Sequence, residues 1–498
     1  MEWLNNIYVI IALIIFCIIC LVYFKKDVIY SYMDNYFIDD VSKLNKTYID
    51  RIFKVTALRE IVYVIKLARK KHKKVIARGE SHSMGGQTIV PNGYIIDTKS
   101  MCRVLNLDRV ENTVTVEPGI TWLKLIFTLN KYGYSPEILQ SYASFSVGGS
   151  VSVNIHGITS DHSLGKSIIE IELVNSKGEI VVCNRRTNRE LFSLVIGGYG
   201  LFGIITKVKL KIVNNTQLLM SSMNTNIHNF QSLYSTFTNN KKINIKIARV
   251  NIANMDDINL YLFTKVNTGP TKVISPILNE PKEMSKISQI IYKWMLPNPK
   301  VQKIRFGMET LMGKPFDFVS DNTTRNEFLY ETAQPLATLY SPLIDFNKTH
   351  ILQEYFIPDD NEINFIVWMQ YLKEIFVVEK GIYSKVNLLN ITIRYVLQDD
   401  TTFLKYANKN MYAFVFYYRI DCNLDGDNNL KIIHNLLVNK AFELGGTFYL
   451  PYRQHYSRKQ LVKSYPNINK FFALKRKYDE KEMFWNMWYG GYGIEHNL

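Results

Sequence analysis

The stretch from Ser144 to Lys211 constrains this chain more than any other part of it. It opens with SFSVGGSVSVNIHG, crosses a polar connection holding Asp161 and His162, and ends in SIIEIELVNSKGEIVVCNRRTNRELFSLVIGGYGLFGIITKVKLK. Gly148 and Gly149 let backbone approach something bulky, because neither carries a Cβ. The β-branched, alternating runs Ile168–Val174, Glu179–Cys183 and Gly203–Ile212 predict strands, with Lys177-Gly178 turning between the first two. A second cluster, Gly197-Gly198-Tyr199-Gly200, separates an apolar helical segment from the last strand. Two glycine clusters around one buried hairpin, with Asn154 and His156 between them, imply a large ligand lying along backbone.

At 498 residues the chain is too long for one ordinary core, and 47% hydrophobic with 13% aromatic residues excludes disorder. The formal charge of +16 comes from scattered lysines without a basic-aromatic motif, so no nucleic-acid partner is expected. Ile7 to Phe24 is an uncharged apolar run long enough to cross a bilayer as one helix. Nothing basic precedes it and no small-x-small site follows, which predicts a retained anchor rather than a cleaved leader. Lys25 and Lys26, then Lys43, Lys46, Arg51 and Lys54, predict a membrane protein with its body on the cytoplasmic side. Residues 25–44 would be a juxtamembrane linker. Outside the apolar run only Cys102, Cys183 and Cys422 remain, with neither a disulfide framework nor a zinc spacing, as in a reducing compartment.

From Thr56 the apolar stripe Leu58, Ile61, Val62, Ile65, Ala68 predicts an amphipathic helix ending in a run of cations. Val75-Ile76-Ala77 then predicts a buried strand running into Arg78-Gly79-Glu80-Ser81-His82-Ser83. Such a turn can aim backbone N–H groups at phosphate oxygens. It is neither a Walker loop nor the Gly-x-Gly-x-x-Gly fingerprint. Tyr94–Asp97 and Thr113–Glu117 read as further strands, and Thr121 as the start of another helix. After Val213 the texture becomes rich in Asn, Tyr and Phe. Strand-like runs recur there at Ile243–Ile252, Leu260–Lys265, Ile351–Ile357, Leu388–Val396 and Tyr412–Ile420, with a helical pattern over Glu362–Val377. The expected class is α+β, with a second domain built on an antiparallel sheet.

ARGESHSMGGQ, SVGGSVSVNIHG, IGGYGLFGIITKVKL, LKRKYDEKEMF and GGTFYLPYRQHYS, in that order save the last two, resemble the vanillyl-alcohol oxidase type of flavoprotein with the p-cresol methylhydroxylase FAD-binding fold. The likeness covers nearly everything after the anchor. Within the family it is nearest the aldonolactone oxidase and decaprenylphosphoryl-ribose 2′-oxidase branch, which the LQEYFIP and NITIRYV runs also fit. Glu480 replaces the family's proline after Lys-Tyr-Asp.

The resemblance implies FAD held by a two-part domain over 45–213, closed by a returning segment at 455–498, with a substrate or cap domain at 214–454. The first loop, Gly79, Glu80, Ser81, His82 and Ser83, and the second, Phe145, Ser146, Val147, Gly148 and Gly149, would offer N–H donors to the pyrophosphate, with Arg78 also at the cofactor. Ser152, Val153, His156, Gly203, Ile204, Ile205 and Tyr449 would border the cofactor, and His82 is the residue that some relatives bond covalently to flavin. Arg394, Tyr355, Tyr452 and His156 are the expected catalytic residues, with Arg453 and His455 as exposed-loop candidates. Aldonolactone oxidases carry Glu-x-Arg on the strand of Arg394; here the partner position is Thr392. The implied activity is oxidation of a CH–OH group of a sugar, sugar lactone or lipid-linked sugar. A double-bond reductase and a non-catalytic membrane protein are the alternatives.

Overall fold

The computed structural model describes residues 36–238, 240, 242–266, 299–313, 322–331, 347–378 and 385–494. The apolar run Ile7–Phe24 lies outside them, and among the described residues no helix is long and apolar enough to cross a membrane.

Three parallel strands, β1 (Arg51–Lys54), β2 (Val75–Arg78) and β3 (Tyr94–Asp97), form a small sheet in the order β1-β3-β2. Helix α1 (Leu58–Lys70) makes the crossover and buries Ile61, Val64, Ile65 and Ala68. It starts later than Thr56 because the Glu60 carboxylate turns back to accept from the Thr56 N–H (2.7 Å), leaving Ala57 as the cap.

A second sheet is antiparallel throughout. It contains β4 (Val104–Asp108), β5 (Thr113–Val116), β6 (Tyr134–Pro136), β7 (Ile168–Val174), β8 (Ile180–Asn184) and β9 (Ile204–Asn214). Its path is β8-β7-β9-β5-β4, with β6 on the end of β9. The short helices between these strands include α2 (Trp122–Asn130), capped by Thr121, and α3 (Val147–Val153), capped by Ser146. The hairpin turn expected at Lys177-Gly178 is present, with Gly178 at φ +82°.

The third sheet has eight antiparallel strands: β10 (Gln217–Asn226), β11 (Ile243–Val250), β12 (Asp257–Lys265), β13 (Asn322–Thr324), β14 (Lys348–Pro358), β15 (Asn387–Val396), β16 (Met411–Asp421) and β17 (Thr447–Phe448). Their order is β13-β10-β12-β11-β15-β16-β14-β17. Helix α4 (Pro299–Met312) packs on one face of this sheet, and α5 (Glu362–Lys373) and α6 (Leu424–Glu443) on the other. The register places Leu352–Tyr417–Asn390, Glu354–Val415–Thr392 and Phe356–Ala413–Arg394 in three rows across β14-β16-β15. Side chains in a row share a face, and neighbours along a strand alternate. That alternation decides which residues can reach a ligand.

The chain end returns to the first sheet. Val75 N–H donates to Met483 O (2.8 Å) and Trp485 N–H to Val75 O (3.1 Å), so Phe484 pairs in parallel with β2. Helix α7 (Ile468–Tyr478) precedes this contact. Lys475 and Asp479, both buried, form an ion pair at 2.5 Å, and the same Asp479 oxygen accepts the Phe484 N–H at 2.7 Å.

Candidate active site

Both glycine-bearing loops come together at one point. The loop after β2 and the loop entering α3 pack so closely that a Cβ on Gly79 would stand 2.3 Å from Ser146 Oγ. Ser81 adopts a left-handed backbone, φ +60°. The backbone N–H groups of Glu80, Ser81, His82 and Ser83 have no protein partner among the described residues. Consecutive free N–H groups around such a residue form an anion-binding concavity.

The second loop contributes differently from expectation. Val147 N–H donates to Ile120 O (2.9 Å) and Gly148 N–H to Pro118 O (2.8 Å), so neither is available to a phosphate. Gly148 is small because a Cβ there would meet Pro118 Cβ at 2.7 Å. Gly149 borders the open space in both directions from this point, and Gly148 borders its inner part.

That space is one long cleft. Its main chamber measures about 1290 Å³ counted to its open mouth, and an inner extension adds about 580 Å³. The two share Gly79, Ser83, Thr88, Gly149 and Val153. The extension runs past Ser152, Gly203 and Ile205. Ile204 and Val147, fully buried, point into cores instead. Arg78 also turns away, donating from Nη2 to Asp39 O (2.7 Å).

In the main chamber His82 stacks on Phe145 with ring centroids 4.2 Å apart, its Nε2 3.5 Å from Ser144 Oγ. Burial lowers the His82 pKa to about 4, so the imidazole is neutral at neutral pH. Tyr449 walls the chamber and donates its hydroxyl to Val153 O (2.7 Å).

The opposite wall is the row-bearing face of the third sheet. Asn390, Thr392 and Arg394 from β15 and Leu352 and Glu354 from β14 line it. Glu354 lies 1% exposed, with one carboxylate oxygen against His156 Nε2 and the other accepting the Tyr452 hydroxyl at 3.3 Å. Arg394 donates from Nη2 to Ser141 Oγ (2.5 Å), while its Nε has no protein partner. Burial lowers the Arg394 pKa, and the facing Glu354 carboxylate opposes that shift.

Tyr355 is a correction. One residue along β14 from Glu354, it must face the other way. Its hydroxyl pairs with His434 Nδ1 (2.9 Å) and its ring packs on Trp368 and Phe416, under α5 and α6. Replacing Tyr355 by Phe should therefore leave turnover unchanged and cost about 1 kcal/mol of stability, the worth of one buried hydrogen bond, read from urea denaturation. Arg453 and His455 are not an exposed pair either. Arg453 grips Asp427 with two bonds of 2.9 and 2.7 Å, and buried His455 meets the same carboxylate at 2.8 Å. Glu354 itself escaped the sequence reading. Its signal was a lone acid in ILQEYFIP, a run otherwise apolar enough to be buried.

A loop of free N–H groups, a cleft running from it into a β-sheet wall, and a neutral histidine beside the loop define a domain for a long, phosphate-bearing cofactor. Residues 49–184 match the family model described as "FAD binding domain". The chain is similar to cytokinin dehydrogenase 2 of Arabidopsis thaliana, 26% identical over 310 residues, covering 55% of this chain and 59% of that protein. It is also similar to D-arabinono-1,4-lactone oxidase of Candida glabrata, 28% identical over 166 residues (32% of this chain, 31% of that one). L-gulonolactone oxidase of Mus musculus is 29% identical over 171 residues (34% and 39%). The matched regions thus span from under a third to about three-fifths of those relatives' lengths. The chain carries an FAD-binding domain of the p-cresol methylhydroxylase type, related to that of the aldonolactone oxidases, and FAD is its cofactor. The residues present fit that group: free N–H donors for its phosphates, and a cleft that continues beyond them at both ends.

Proposed function

We propose that this protein is a membrane-anchored FAD-dependent oxidoreductase that oxidises a CH–OH group of a sugar, sugar lactone or lipid-linked sugar. One observation carries the reading: the cofactor cleft opens onto a sheet face where Glu354, Tyr452, His156 and Arg394 converge. The lactone oxidases among its relatives support the substrate class. The apolar run Ile7–Phe24 supports the anchor, with the domains divided near residues 213 and 454.

FAD, when bound, supplies the hydride acceptor. The chain supplies the rest. Loss of hydride from a CH–OH carbon must be matched by loss of the hydroxyl proton. Tyr452 faces the chamber and already donates to Glu354, so it can accept the substrate proton as it passes its own to that carboxylate. His156, on the other carboxylate oxygen, fixes the orientation of Glu354. Arg394 brings a cation to the same wall, to orient substrate oxygen or balance developing negative charge. The resemblance expects a glutamate at position 392. Glu354 stands in the same row as Thr392, two strands away, and puts a carboxylate on the face where that one is missing.

His82 is the proposed point of covalent attachment to the flavin. Its imidazole is neutral, held by Phe145 beside the phosphate loop, and keeps a lone pair for bond formation. Acid precipitation of the purified protein should leave yellow flavin in the pellet, and His82→Ala should release it to the supernatant. Native protein that releases its flavin in acid would defeat the covalent assignment. The activity is tested by anaerobic mixing with sugar lactones and alditols while flavin absorbance is followed. Bleaching by one of them supports the reading; bleaching only by a reduced nicotinamide would make the protein a reductase.

A further inference from the structure

Helix α4 turns most of its large apolar side chains outward. Its inner face carries polar bonds beside buried Phe306: buried Glu309 accepts from Arg249 (2.9 Å) and Arg305 (3.0 Å), Thr310 bonds to Asn259, and Gln302 Nε2 donates to Leu388 O (3.0 Å). Its outer face is apolar. Ile304, Met308, Leu311 and Met312, spaced i, i+4, i+7, i+8, are 62%, 45%, 88% and 44% exposed. Lys300 and Lys303 are exposed beside this stripe, and the one acid of the helix, Glu309, points inward. Rolling the helix over would bury lysine and pull Glu309 from its arginines, so the inner polar bonds hold the apolar face outward.

The helix also lies on the cleft side of its sheet. Arg249 is the cross-strand partner of Thr392, which lines the chamber, so both side chains leave the same face. Arg249 then reaches Glu309 on α4.

We propose that the outer face of α4 rests on an anionic bilayer surface and brings the cleft to it, so that a lipid-borne alcohol enters from the membrane. This rests on the anchor and activity proposed above, and it selects the lipid-linked member of that substrate class. Large apolar side chains rimmed by lysine suit the boundary between headgroups and acyl chains. A second copy suits the face less well, because a two-fold contact would bring the Lys303 side chains together and α4's one acid, Glu309, faces inward.

The test uses the full chain reconstituted into vesicles of phosphatidylcholine and phosphatidylglycerol, 7:3 by composition, with and without brominated acyl chains. Leu311→Trp places a reporter on the stripe. Val110→Trp, at a position equally 88% exposed in the FAD-binding half, is the control. Brominated lipid should quench the emission added by Leu311→Trp and leave that added by Val110→Trp unchanged, both variants keeping normal flavin content. Equal quenching, or none at Leu311→Trp, would overturn the proposal. So would a blue shift of Leu311→Trp that grows with protein concentration in the absence of vesicles, since a second copy would then be the occupant. Failure of the activity reading appears separately, as a flavin that no alcohol bleaches.

Discussion

Glu354→Gln is expected to slow flavin reduction by the alcohol substrate about 10²- to 10⁴-fold, the range a positioned general base contributes. The substitution keeps shape and removes the negative charge that receives the proton. It also disturbs both neighbours, because a side-chain amide can accept only through its oxygen, whereas the carboxylate now meets His156 on one side and the Tyr452 hydroxyl on the other. Tyr452→Phe should produce a loss of similar order. The double variant should be little worse than either single one, because the two act as one relay. Stopped-flow absorbance under anaerobic conditions reads the rate. Flavin content and thermal midpoint must stay near those of the parent for the rate to carry the argument. A Glu354→Gln protein reduced at the parent's rate would remove Glu354 from the chemistry and leave the role of base to His156.

The cofactor half was legible in the sequence for a local reason. Its loops are short, and their residue types are dictated by backbone geometry: the touching of Gly79 and Ser146, the crowding of Gly148 on Pro118, and the turn at Gly178 each admit few alternatives. Strand runs such as Ile168–Val174 also announce themselves by β-branched alternation. The substrate wall was harder, because it depends on register between strands distant in sequence. Tyr355 and Glu354 are neighbours, and which of them reaches the cleft is settled by how β14 pairs with β16, 53 to 73 residues apart in their register. Arg394 was found and Glu354 was not, since the first sits where a known pattern expects it and the second supplies its carboxylate from another strand. Helix α6 escaped for a different reason. Its sequence LDGDNNLKIIHNLLVNKAFE opens with turn-forming residues, while the stripe Leu430, Ile433, Leu437, Val438, Ala441 becomes plain only when the sheet beneath it is in view. The N–H groups expected from Val147 and Gly148 were misassigned because a glycine pair looks the same whether a ligand or a proline crowds it.

Asp479→Ala should destabilise the protein by about 3–5 kcal/mol, the cost of removing one partner from a buried ion pair. Lys475 is fully buried, and burial pulls its pKa down while the Asp479 carboxylate opposes that change. Without the carboxylate the ammonium keeps the Tyr489 ring, 5.2 Å away, and the weaker pull of the Glu482 carboxylate. The same oxygen holds the Phe484 N–H, so its loss also loosens the segment that pairs with Val75 at the edge of β2. Because β2 runs directly into the phosphate loop at Gly79, weakening that edge should carry over to the cofactor. Urea denaturation followed by tryptophan emission gives the stability, and flavin fluorescence recorded in parallel gives the coupling. The double variant Lys475→Met/Asp479→Ala should recover much of the loss, because it removes the unpaired charge and leaves the Phe484 N–H as the chief remaining deficit. If the double variant is as unstable as the single one, the cost lies in the Phe484 hydrogen bond and the strand pairing, and the ion pair contributes little.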